Sequence, residues 1–593
     1  MTIAAETTRA RTAFSFEALL YLAIVALTLA VRLPGLDAHP LNDAEAREAL
    51  TAWRFSQGLS SPTLPASPAY LSFTALGFMV LGDADFVGRL APALFGAALV
   101  LLPWLLRDAL GRARALLTSV LLAGSSIVWM ASRSADGTVL AAFFVLLTAI
   151  AVWRSVRADG ELTWAVVAGA AFGASLAAGP QALIGLIALA VALPLTAGAW
   201  DALVAFVRSR ARELGLAALV GFLAVGTLLL LNRDGLGAAT ASWVTFAQRF
   251  VPSEGARTLT ALLALLGLYD PLIVLAGLIA FASAFARGGL DRFSASAAIV
   301  ALTIVVASSG RSQFDLVWLI VFLAPLAAHT LLRLFTEFDW RRSWALPVSV
   351  ALILIAVLAY VWLGLAQFAT VVRGSPTILE GTVDFRAPPW NGLVFPALGL
   401  VALPLIVGLI GLGWSFRSAL MGVALAAVFL AMSATLTAGW GQIQLRPGSP
   451  VELWWPRPVG ADLARLRETL FWAGEQTISS GTEIEVTVQA SPDSALAWAL
   501  RGFPKARFVD TLGTEIATAA VIAPAALETE VQPDLGAAYV GAPFQLNPIW
   551  FPDTLFWYEQ LDWLLYRRAA VQNPTITILW LRQDVQMPPA VQR

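Results

Sequence analysis

Long apolar stretches fill the first 440 residues of this 593-residue chain, and they are absent from its tail. An α-helix needs about 20 apolar residues to cross the hydrocarbon core of a bilayer. The pattern therefore predicts a polytopic α-helical membrane protein with about 13 transmembrane helices. The predicted spans are residues 15–33, 86–106, 115–131, 138–154, 163–178, 181–199, 214–231, 258–282, 293–308, 315–334, 344–368, 391–412 and 418–438.

The arginines of the short loops predict which ends of the spans face the cytoplasm. They concentrate in alternate connections, as in the loop that contains Arg107 and Arg112. With thirteen spans, residues 1–14 form a cytoplasmic tail, residues 15–440 a transmembrane domain, and residues 441–593 an extracytoplasmic domain. The predicted location is the plasma (inner) membrane.

The tail of the chain has the alternating pattern of a water-soluble domain. Helical spacing covers residues 461–473, 494–501 and 554–566, and strand patterns cover residues 483–488, 506–509, 518–522 and 575–581. Strands that alternate with helices favour an α/β fold. The tail sequence contains no glycine-rich phosphate loop and no cluster of metal ligands. It is interpreted as a structural or acceptor-recognition domain.

Composition excludes several kinds of site. The chain contains no cysteine, which rules out disulfides, cysteine-ligated zinc and thiol catalysis. Its two histidines are too few for a histidine-rich metal site. The formal net charge of −1 indicates no polyanionic partner, and we expect no nucleic acid among its ligands.

Two carboxylates, Asp43 and Glu45, lie just beyond the first span, in the long outer loop of residues 34–85. A carboxylate at this position can act as a general base, or it can hold a divalent cation against a phosphate. The alternative is a helix start, in which Asn42 or Asp43 is the N-cap and Glu45 belongs to the first turn. The residues alone leave both interpretations open.

Four further charged residues are predicted at the same face of the membrane. Arg133 and Asp136 share a tight outer turn, Arg89 lies near the outer start of the second span, and Arg311 precedes the tenth span. The arginines can neutralise a lipid phosphate, and Asp136 can join Asp43. The alternatives are a loop salt bridge for the turn and snorkelling to the membrane interface for Arg89.

Several short motifs occur along the whole chain, most densely in residues 30–157. They are Arg32-Leu33-Pro34-Gly35-Leu36, the run from Asp85 to Gly96, the run from Leu105 to Gly111, Ser132-Arg133, the run from Trp318 to Pro325, the run from Ala497 to Pro504, and the run from Trp563 to Arg567. With these motifs the chain resembles the C-type glycosyltransferase superfamily, which uses polyprenyl-phosphate-linked sugars. It is similar to protein O-mannosyltransferases, and most similar to the bacterial branch that resembles the archaeal flippase-activity-associated N-glycosylation proteins.

The resemblance implies a membrane glycosyltransferase that takes a sugar from a polyprenyl phosphate and passes it to a protein or glycolipid acceptor at the outer face of the membrane. It implies catalytic roles for Asp43, Glu45 and Asp136. It implies lipid-phosphate binding by Arg89, Arg133 and Arg311. Asp43 and Glu45 would also hold the divalent cation, Mg²⁺ or Mn²⁺, if the reaction uses one. Membrane lipids complete the expected partners.

The acidic loop departs from the family pattern, which places an adjacent Asp-Glu pair there. This chain has Asn42-Asp43-Ala44-Glu45 instead. A gapless alignment puts Ala44 at the catalytic Asp, whereas a shift by one residue puts Asp43 there. The departure motivates a second hypothesis, a non-catalytic scaffold or lipid-binding subunit of a larger membrane complex. A third is a transporter for lipid-linked sugars, although the spans show no inverted repeat.

Overall fold

A computed structural model describes residues 16–157, 162–196, 198–252, 257–374, 390–455, 458–513, 516–527, 531, 535, 538–550 and 552–585. The predicted cytoplasmic tail, residues 1–14, lies outside the described residues. Helices α1 to α21 are, in chain order, Phe16–Arg32, Asp43–Ser56, Pro68–Leu81, Asp85–Leu105, Arg107–Leu110, Arg112–Gly124, Ser126–Ser132, Thr138–Arg157, Leu162–Leu176, Pro180–Ala192, Ala199–Ser209, Ala211–Gly226, Asp234–Gln248, Leu259–Tyr269, Pro271–Arg287, Gly289–Ala307, Leu316–Thr336, Trp340–Ser343, Ala345–Gly374, Asn391–Ile410 and Phe416–Trp440.

The helices confirm a multi-pass membrane protein, but they do not confirm the number of thirteen spans. Within the described residues, six helical runs are long and apolar enough to cross a membrane, or up to eight if each of two bent helix pairs is one span. Several predicted spans form shorter apolar helices, such as α9 with 15 residues and α10 with 13. The apolar pattern therefore locates the membrane helices better than it counts complete crossings.

Two bent helix pairs are joined to each other at their breaks. Helices α6 and α7 meet at 61° around Ser125, and α14 and α15 meet at 98° around Asp270. The Asp270 carboxylate accepts hydrogen bonds from the Ser125 hydroxyl at 2.7 Å and from the N–H groups of Ser126 and Ile127 at 3.0 and 2.9 Å. Broken helices are tolerated at membrane depth when protein groups satisfy the freed backbone. The carboxylate at the α14–α15 break thus satisfies backbone N–H groups at the start of α7, beside the other break.

Helix α17 is the centre of the bundle. Trp318, Ile320 and Ala324 are fully buried along it. A Cβ atom added at Gly185 of α10 would lie 2.2 Å from the Trp318 ring, which is closer than atoms can approach. The absence of a side chain at Gly185 therefore lets the two helices pack together.

The tail forms one mixed sheet with helices beside it. Strands β1 to β5 are Val486–Gln489, Ala506–Val509, Ala520–Pro524, Tyr539–Ile549 and Gln572–Arg582, and helices α22 to α24 are Asp462–Ile478, Ala495–Ala499 and Trp557–Tyr566. The strand order is β2-β1-β3-β5-β4. Strand β1 is parallel to β2 and β3, whereas β5 is antiparallel to β3 and β4. The α/β class predicted for the tail is confirmed.

Strand β4 has no counterpart in the sequence prediction. It contains Pro543 and Pro548, which lack the N–H group that a strand ladder uses, together with Gly541. Proline is tolerated at the edge of a sheet, where one side of the strand has no neighbour. Strand β4 lies at such an edge, and its register shifts between Gln545 and Ile549, around Pro548. The edge position of β4 in the sheet thus allows a strand where its prolines and glycine predict none.

Candidate active site

Helix α2 begins with a capping box that fixes the acidic segment. Asn42 Oδ1 accepts hydrogen bonds from the backbone N–H groups of Ala44 and Glu45 at 3.0 and 3.1 Å, and the Glu45 carboxylate accepts one from the Asn42 N–H at 3.2 Å. These reciprocal bonds satisfy donors that a helix start leaves unpaired. The helix-start interpretation of this segment is therefore confirmed, with Asn42 as the N-cap.

Glu45 forms a buried ion pair with Arg89 of α4. Arg89 Nε and Nη2 donate to the two Glu45 carboxylate oxygens at 3.0 and 2.8 Å, and the two side chains are 0% and 3% exposed. The backbone N–H of Ala135 donates to the same carboxylate at 2.9 Å. Burial raises the pKa of Glu45, but the charge and hydrogen bonds of Arg89 outweigh it, so the net pKa lies below the ordinary value. The pair joins α2, α4 and the turn that contains Ala135.

The other Arg89 donors hold the loop between α1 and α2. Nη1 donates to the carbonyl oxygens of Leu36 and His39 at 2.6 and 2.9 Å, and Nη2 donates to that of Pro40 at 3.2 Å. Burial and the Arg89 charge lower the pKa of His39 to about 3, so the neutral ring can accept from Nη2, which lies 3.1 Å from His39 Nδ1. All three guanidinium nitrogens are engaged. The lipid-phosphate role of Arg89 stays a prediction; in this conformation Arg89 clamps the loop.

Arg133 holds the same loop at its start. Its Nη1 donates to the carbonyl oxygens of Arg32 and Pro34 at 2.6 and 2.7 Å, and its Nη2 donates to that of Gly35 at 2.7 Å. Gly35 has a φ of +64°, a left-handed conformation that glycine adopts without strain. Arg133 is 6% exposed. In this conformation Arg133 clamps the start of the loop, and its lipid-phosphate role stays a prediction.

Asp136 lies in the turn just before α8, and its carboxylate accepts a hydrogen bond from the Thr138 N–H at 2.7 Å. The side chain is half-buried. Burial raises the pKa of Asp136 above its ordinary value, and the negative charges of Glu45 and Asp315 add to this, although hydrogen bonds from Thr138 oppose it. A partly accessible carboxylate with a raised pKa is suited to accept a proton from a hydroxyl group.

Two more carboxylates complete a centre at the end of the bundle that is predicted to face outward, called the outer acidic centre and defined here as Glu45, Glu48, Asp136 and Asp315. Burial raises the pKa of Glu48 to about 7, and the charge of Asp136 contributes. Asp315 forms a buried ion pair with Arg249 at 2.6 Å. Glu48 is missed by sequence reasoning. The sequence feature that points to Glu48 is its spacing of three residues from Glu45, which places both carboxylates on one face of α2.

Asp43 faces the tail of the chain. Its Oδ1 accepts a hydrogen bond from the backbone N–H of Ala495, the first residue of α23, at 2.9 Å. A carboxylate at a helix start is stabilised by the unpaired N–H groups there. The structure therefore brings Glu45 and the turn before Asp136 together, whereas it places the Asp43 carboxylate against α23. Its catalytic role stays a prediction.

Asp43 belongs to a wider contact, the tail clasp, in which residues 493–501 dock on the outer loop and the start of α4. Asp493 pairs with Arg54 at 2.6 Å, and the side chains are 7% and 14% exposed. Trp498 Nε1 donates to the Asp85 carboxylate at 2.7 Å. The tail clasp holds the α/β tail against the helix that carries Glu45.

Replacing Asp493 by alanine should loosen the tail clasp. The change leaves Arg54 without its carboxylate, which costs about 1–3 kcal/mol for a partly buried donor. We expect faster hydrogen exchange in α2 and α23, with the transmembrane helices unchanged. Asp584→Ala is the matched control, because it removes an ion pair with Arg582 whose side chains are 57% and 38% exposed. Identical exchange in the two variants would contradict the clasp.

Arg311 lies four residues before Asp315 of the outer acidic centre. Its side chain is half-buried, and its Nε is buried without a hydrogen-bond partner among the residues that the structure describes. Its backbone carbonyl accepts a hydrogen bond from the Arg257 N–H at 3.2 Å, which fixes the loop. Arg311 therefore keeps donor capacity for an anion beside the acidic centre.

The contacts of Glu45 do not fit the predicted divalent cation. Both carboxylate oxygens already accept hydrogen bonds, from Arg89, Asn42 and Ala135. In the described ranges, no group of three or more His, Asp or Glu side chains is arranged to hold a metal ion. A cation held by Asp43 and Glu45 stays a prediction without support from these contacts.

A long apolar cavity of about 1220 Å³ lies in the membrane bundle. Near its outer end the lining includes Leu183, which follows Gln181 by two residues, and the Gln181 side chain hydrogen-bonds Asp315. At its other end the lining includes Leu106 and Thr196, just beyond the ends of α4 and α10. The cavity thus extends from beside the outer acidic centre to the opposite end of the bundle.

Comparison with known proteins identifies the fold. No protein-family model and no curated protein sequence matches the chain. Among solved structures, ArnT from Cupriavidus metallidurans bound to undecaprenyl phosphate is similar with a TM-score of 0.53 and 16% identity, over 94% of this chain and 97% of that one. The apo state of that protein gives 0.49 and 17% over the same shares of 94% and 97%. The archaeal oligosaccharyltransferase AglB from Archaeoglobus fulgidus, in complex with an inhibitory peptide and a dolichol-phosphate, gives 0.46 and 11%, over 87% of this chain and 70% of that one.

The likeness to ArnT bound to undecaprenyl phosphate covers nearly the whole of both chains. At this level of sequence identity it shows the fold. The chain has the fold of the C-type glycosyltransferases, as the sequence motifs implied.

Proposed function

We propose that the chain is a membrane glycosyltransferase that transfers a sugar from a polyprenyl-phosphate donor to an acceptor at the outer face of the plasma membrane. The observation that carries the proposal is the long apolar cavity beside the outer acidic centre. An amphiphilic donor needs both surfaces, one for its tail and one for its reacting end. In this proposal residues 1–14 face the cytoplasm, and residues 441–593 form the outer domain that presents a protein or glycolipid acceptor.

The donor tail lies in the apolar cavity, and its phosphate lies near Arg311. The ArnT structure supports this class of donor, because that protein is bound to undecaprenyl phosphate. Arg311 Nε is buried and unpartnered within the described part of the chain. A guanidinium group gains a charge-assisted hydrogen bond from a phosphate oxygen. It would also stabilise the negative charge that grows on the phosphate as the sugar leaves.

Asp136 is the proposed general base. It takes the proton from the acceptor hydroxyl while that oxygen forms a bond to the anomeric carbon of the sugar. The bond from the anomeric carbon to the phosphate oxygen breaks, and the polyprenyl phosphate leaves with the electron pair. Attack from the side opposite the leaving group inverts the anomeric centre. Glu45 and Arg89 act as positioning residues, because they hold the turn that carries Asp136.

The test is turnover of polyprenyl-phosphate sugars by the purified protein in nanodiscs, with the wild type beside Ala149→Phe. Ala149 lines the apolar cavity, so the larger ring takes up space that the donor tail needs. We expect sugar release or transfer by the wild type. We expect donor affinity to fall about tenfold in the variant, which corresponds to about 1.4 kcal/mol.

Ala282→Phe is the control for this substitution. Ala282 is exposed on α15 and lies outside the lining of the apolar cavity, so the donor should bind this variant as it binds the wild type. Equal donor binding by all three proteins would contradict the proposal that the lipid tail of the donor lies in the apolar cavity. Absence of turnover with a broad donor panel would refute the transferase.

A second candidate function is a non-catalytic lipid-binding subunit of a larger membrane complex. It is favoured by the engagement of both loop carboxylates, since Glu45 is paired with Arg89 and Asp43 contacts the N–H of Ala495. Ala44, the gapless counterpart of the family's catalytic Asp, is exposed and carries no acid. Donor binding without turnover, together with co-purification of other subunits in fixed stoichiometry, would support this candidate.

A further inference from the structure

A second cavity, of about 340 Å³, lies at the other end of the bundle, between α15, α17 and α21. Helix α17 starts next to Asp315 of the outer acidic centre and has 21 residues, so its last turn lies about 30 Å away. That last turn lines the cavity with Arg333, and Glu337 follows it. This inner pocket is therefore separate from the proposed donor site.

Two arginines face the inner pocket with unused donors. Arg333 Nε donates to Glu337 Oε1 at 2.7 Å, and Arg417 Nη2 donates to the Glu337 carbonyl oxygen at 2.6 Å. Among the residues that the structure describes, these are the hydrogen bonds of the two guanidinium groups. With one carboxylate against two arginines, the pocket keeps a net positive charge. An anion can reach the remaining N–H groups.

His329 adds an unsatisfied atom to the same wall. It lines the inner pocket one turn before Arg333, and its Nε2 is buried with no hydrogen-bond partner in the described part of the chain. A buried polar atom without a partner costs about 1–3 kcal/mol. An acceptor oxygen in the pocket would remove that cost, since a neutral imidazole can carry its proton on Nε2.

The mouth of the inner pocket is apolar and open to the side of the bundle. Ile279 and Leu420 line it and are 68% and 59% exposed. Exposed aliphatic side chains on membrane helices contact acyl chains, whereas a soluble anion gains nothing from them. Basic pockets between membrane helices bind the head groups of anionic lipids. The combination favours a lipid over a free phosphate.

We infer that the inner pocket binds the phosphodiester head group of an anionic phospholipid from the leaflet opposite the proposed donor site. Arg333 and Arg417 contact the phosphate oxygens, and His329 Nε2 donates to a head-group oxygen. The acyl chains lie along Ile279 and Leu420. This lipid site does not depend on the proposed glycosyl transfer, because no reacting group lies in the pocket.

Native mass spectrometry of the full-length protein tests the inference, with phosphatidylglycerol titrated against phosphatidylcholine. The wild type should retain phosphatidylglycerol at least about tenfold more strongly than the Arg333→Gln/Arg417→Gln double variant, a difference of about 1.4 kcal/mol. Arg417→Gln alone should lose part of this preference. The guanidinium group hydrogen-bonds the backbone carbonyl of Glu337 in the described structure, a bond that the glutamine amide can also donate, so this variant should keep the fold. Excess inorganic phosphate should not displace the lipid.

Arg112→Gln is the matched control, because Arg112 is a cation of a neighbouring helix whose side chain is 81% exposed. It should bind phosphatidylglycerol as the wild type does. If the control and Arg417→Gln lose phosphatidylglycerol binding equally, the binding depends on general surface charge. That result would overturn the site. Displacement by inorganic phosphate, or no preference between the two lipids, would overturn it as well.

Discussion

Asp136→Asn should lower the turnover of a polyprenyl-phosphate sugar by about 10²–10⁴-fold, the usual contribution of a general base. Asparagine can accept the same hydrogen bond from the Thr138 N–H, so the turn and the start of α8 should persist. Donor affinity should remain within about twofold, because the base acts on the acceptor hydroxyl. The measurement is single-turnover kinetics in nanodiscs, combined with donor binding at equilibrium.

The pH profile gives the same assignment an independent test. The base works only when it is ionised, so the rate should fall as the pH falls through the pKa of Asp136. Burial and neighbouring negative charges raise that pKa, which moves the acidic limb above the value of about 3.9 for an ordinary aspartate. The limb should vanish from the residual activity of Asp136→Asn.

Asp43→Asn separates the two alignments of the acidic loop. Asparagine keeps a side-chain oxygen for the Ala495 N–H, so we expect a small effect on turnover and a modest loosening of the tail clasp. The opposite result, with turnover lost in Asp43→Asn and kept in Asp136→Asn, would make Asp43 the base. Loss in neither variant would remove both carboxylates from the reaction.

Arg89→Met should destabilise the protein by about 3–5 kcal/mol, the usual cost of removing one partner from a buried ion pair. The change leaves Glu45 charged and 3% exposed, and it releases the carbonyl groups of Leu36 and His39. Unfolding should begin in the loop between α1 and α2. Thermal unfolding in nanodiscs and protease cleavage of that loop measure the two effects.

The Arg89→Met/Glu45→Leu double variant provides the control, because an apolar pair avoids the unpaired buried charge. It should recover part of the stability that Arg89→Met loses. The lipid-phosphate role predicted for Arg89 gives a different expectation for the single variant. In that case Arg89→Met would fold with wild-type stability and lose donor affinity.

The membrane domain and the α/β tail could be predicted because their signals are local. A stretch such as Ala345–Gly374 is mostly apolar, and the pattern of residues 506–509 predicts a strand with the bounds that Ala506–Val509 has in the structure. Complete crossings could not be counted, because breaks such as that at Asp270 depend on a partner helix. Strand β4 was hidden by its prolines, which only an edge position tolerates.

The candidate site was predicted in part for the same reason. The N-cap at Asn42 and the placing of Arg133 and Asp136 in a turn between two helices follow from neighbouring residues. The pairing of Arg89 with Glu45 joins positions 44 residues apart. No periodicity within one segment reports such a contact. Glu48 gains its raised pKa from burial and from Asp136 on another element, so its local sequence offers only the three-residue spacing from Glu45.

The bond from Asp43 to the Ala495 N–H joins residues 452 positions apart. A ribosome that adds about 5–20 residues per second needs roughly 20–90 s to make the chain between them. During that interval the start of α2 exists without its tail partner, and Asp43 lacks this hydrogen bond. The two ends can meet only when synthesis is nearly complete. The contact between the acidic loop and the tail is thus among the last to form during synthesis and folding of the chain.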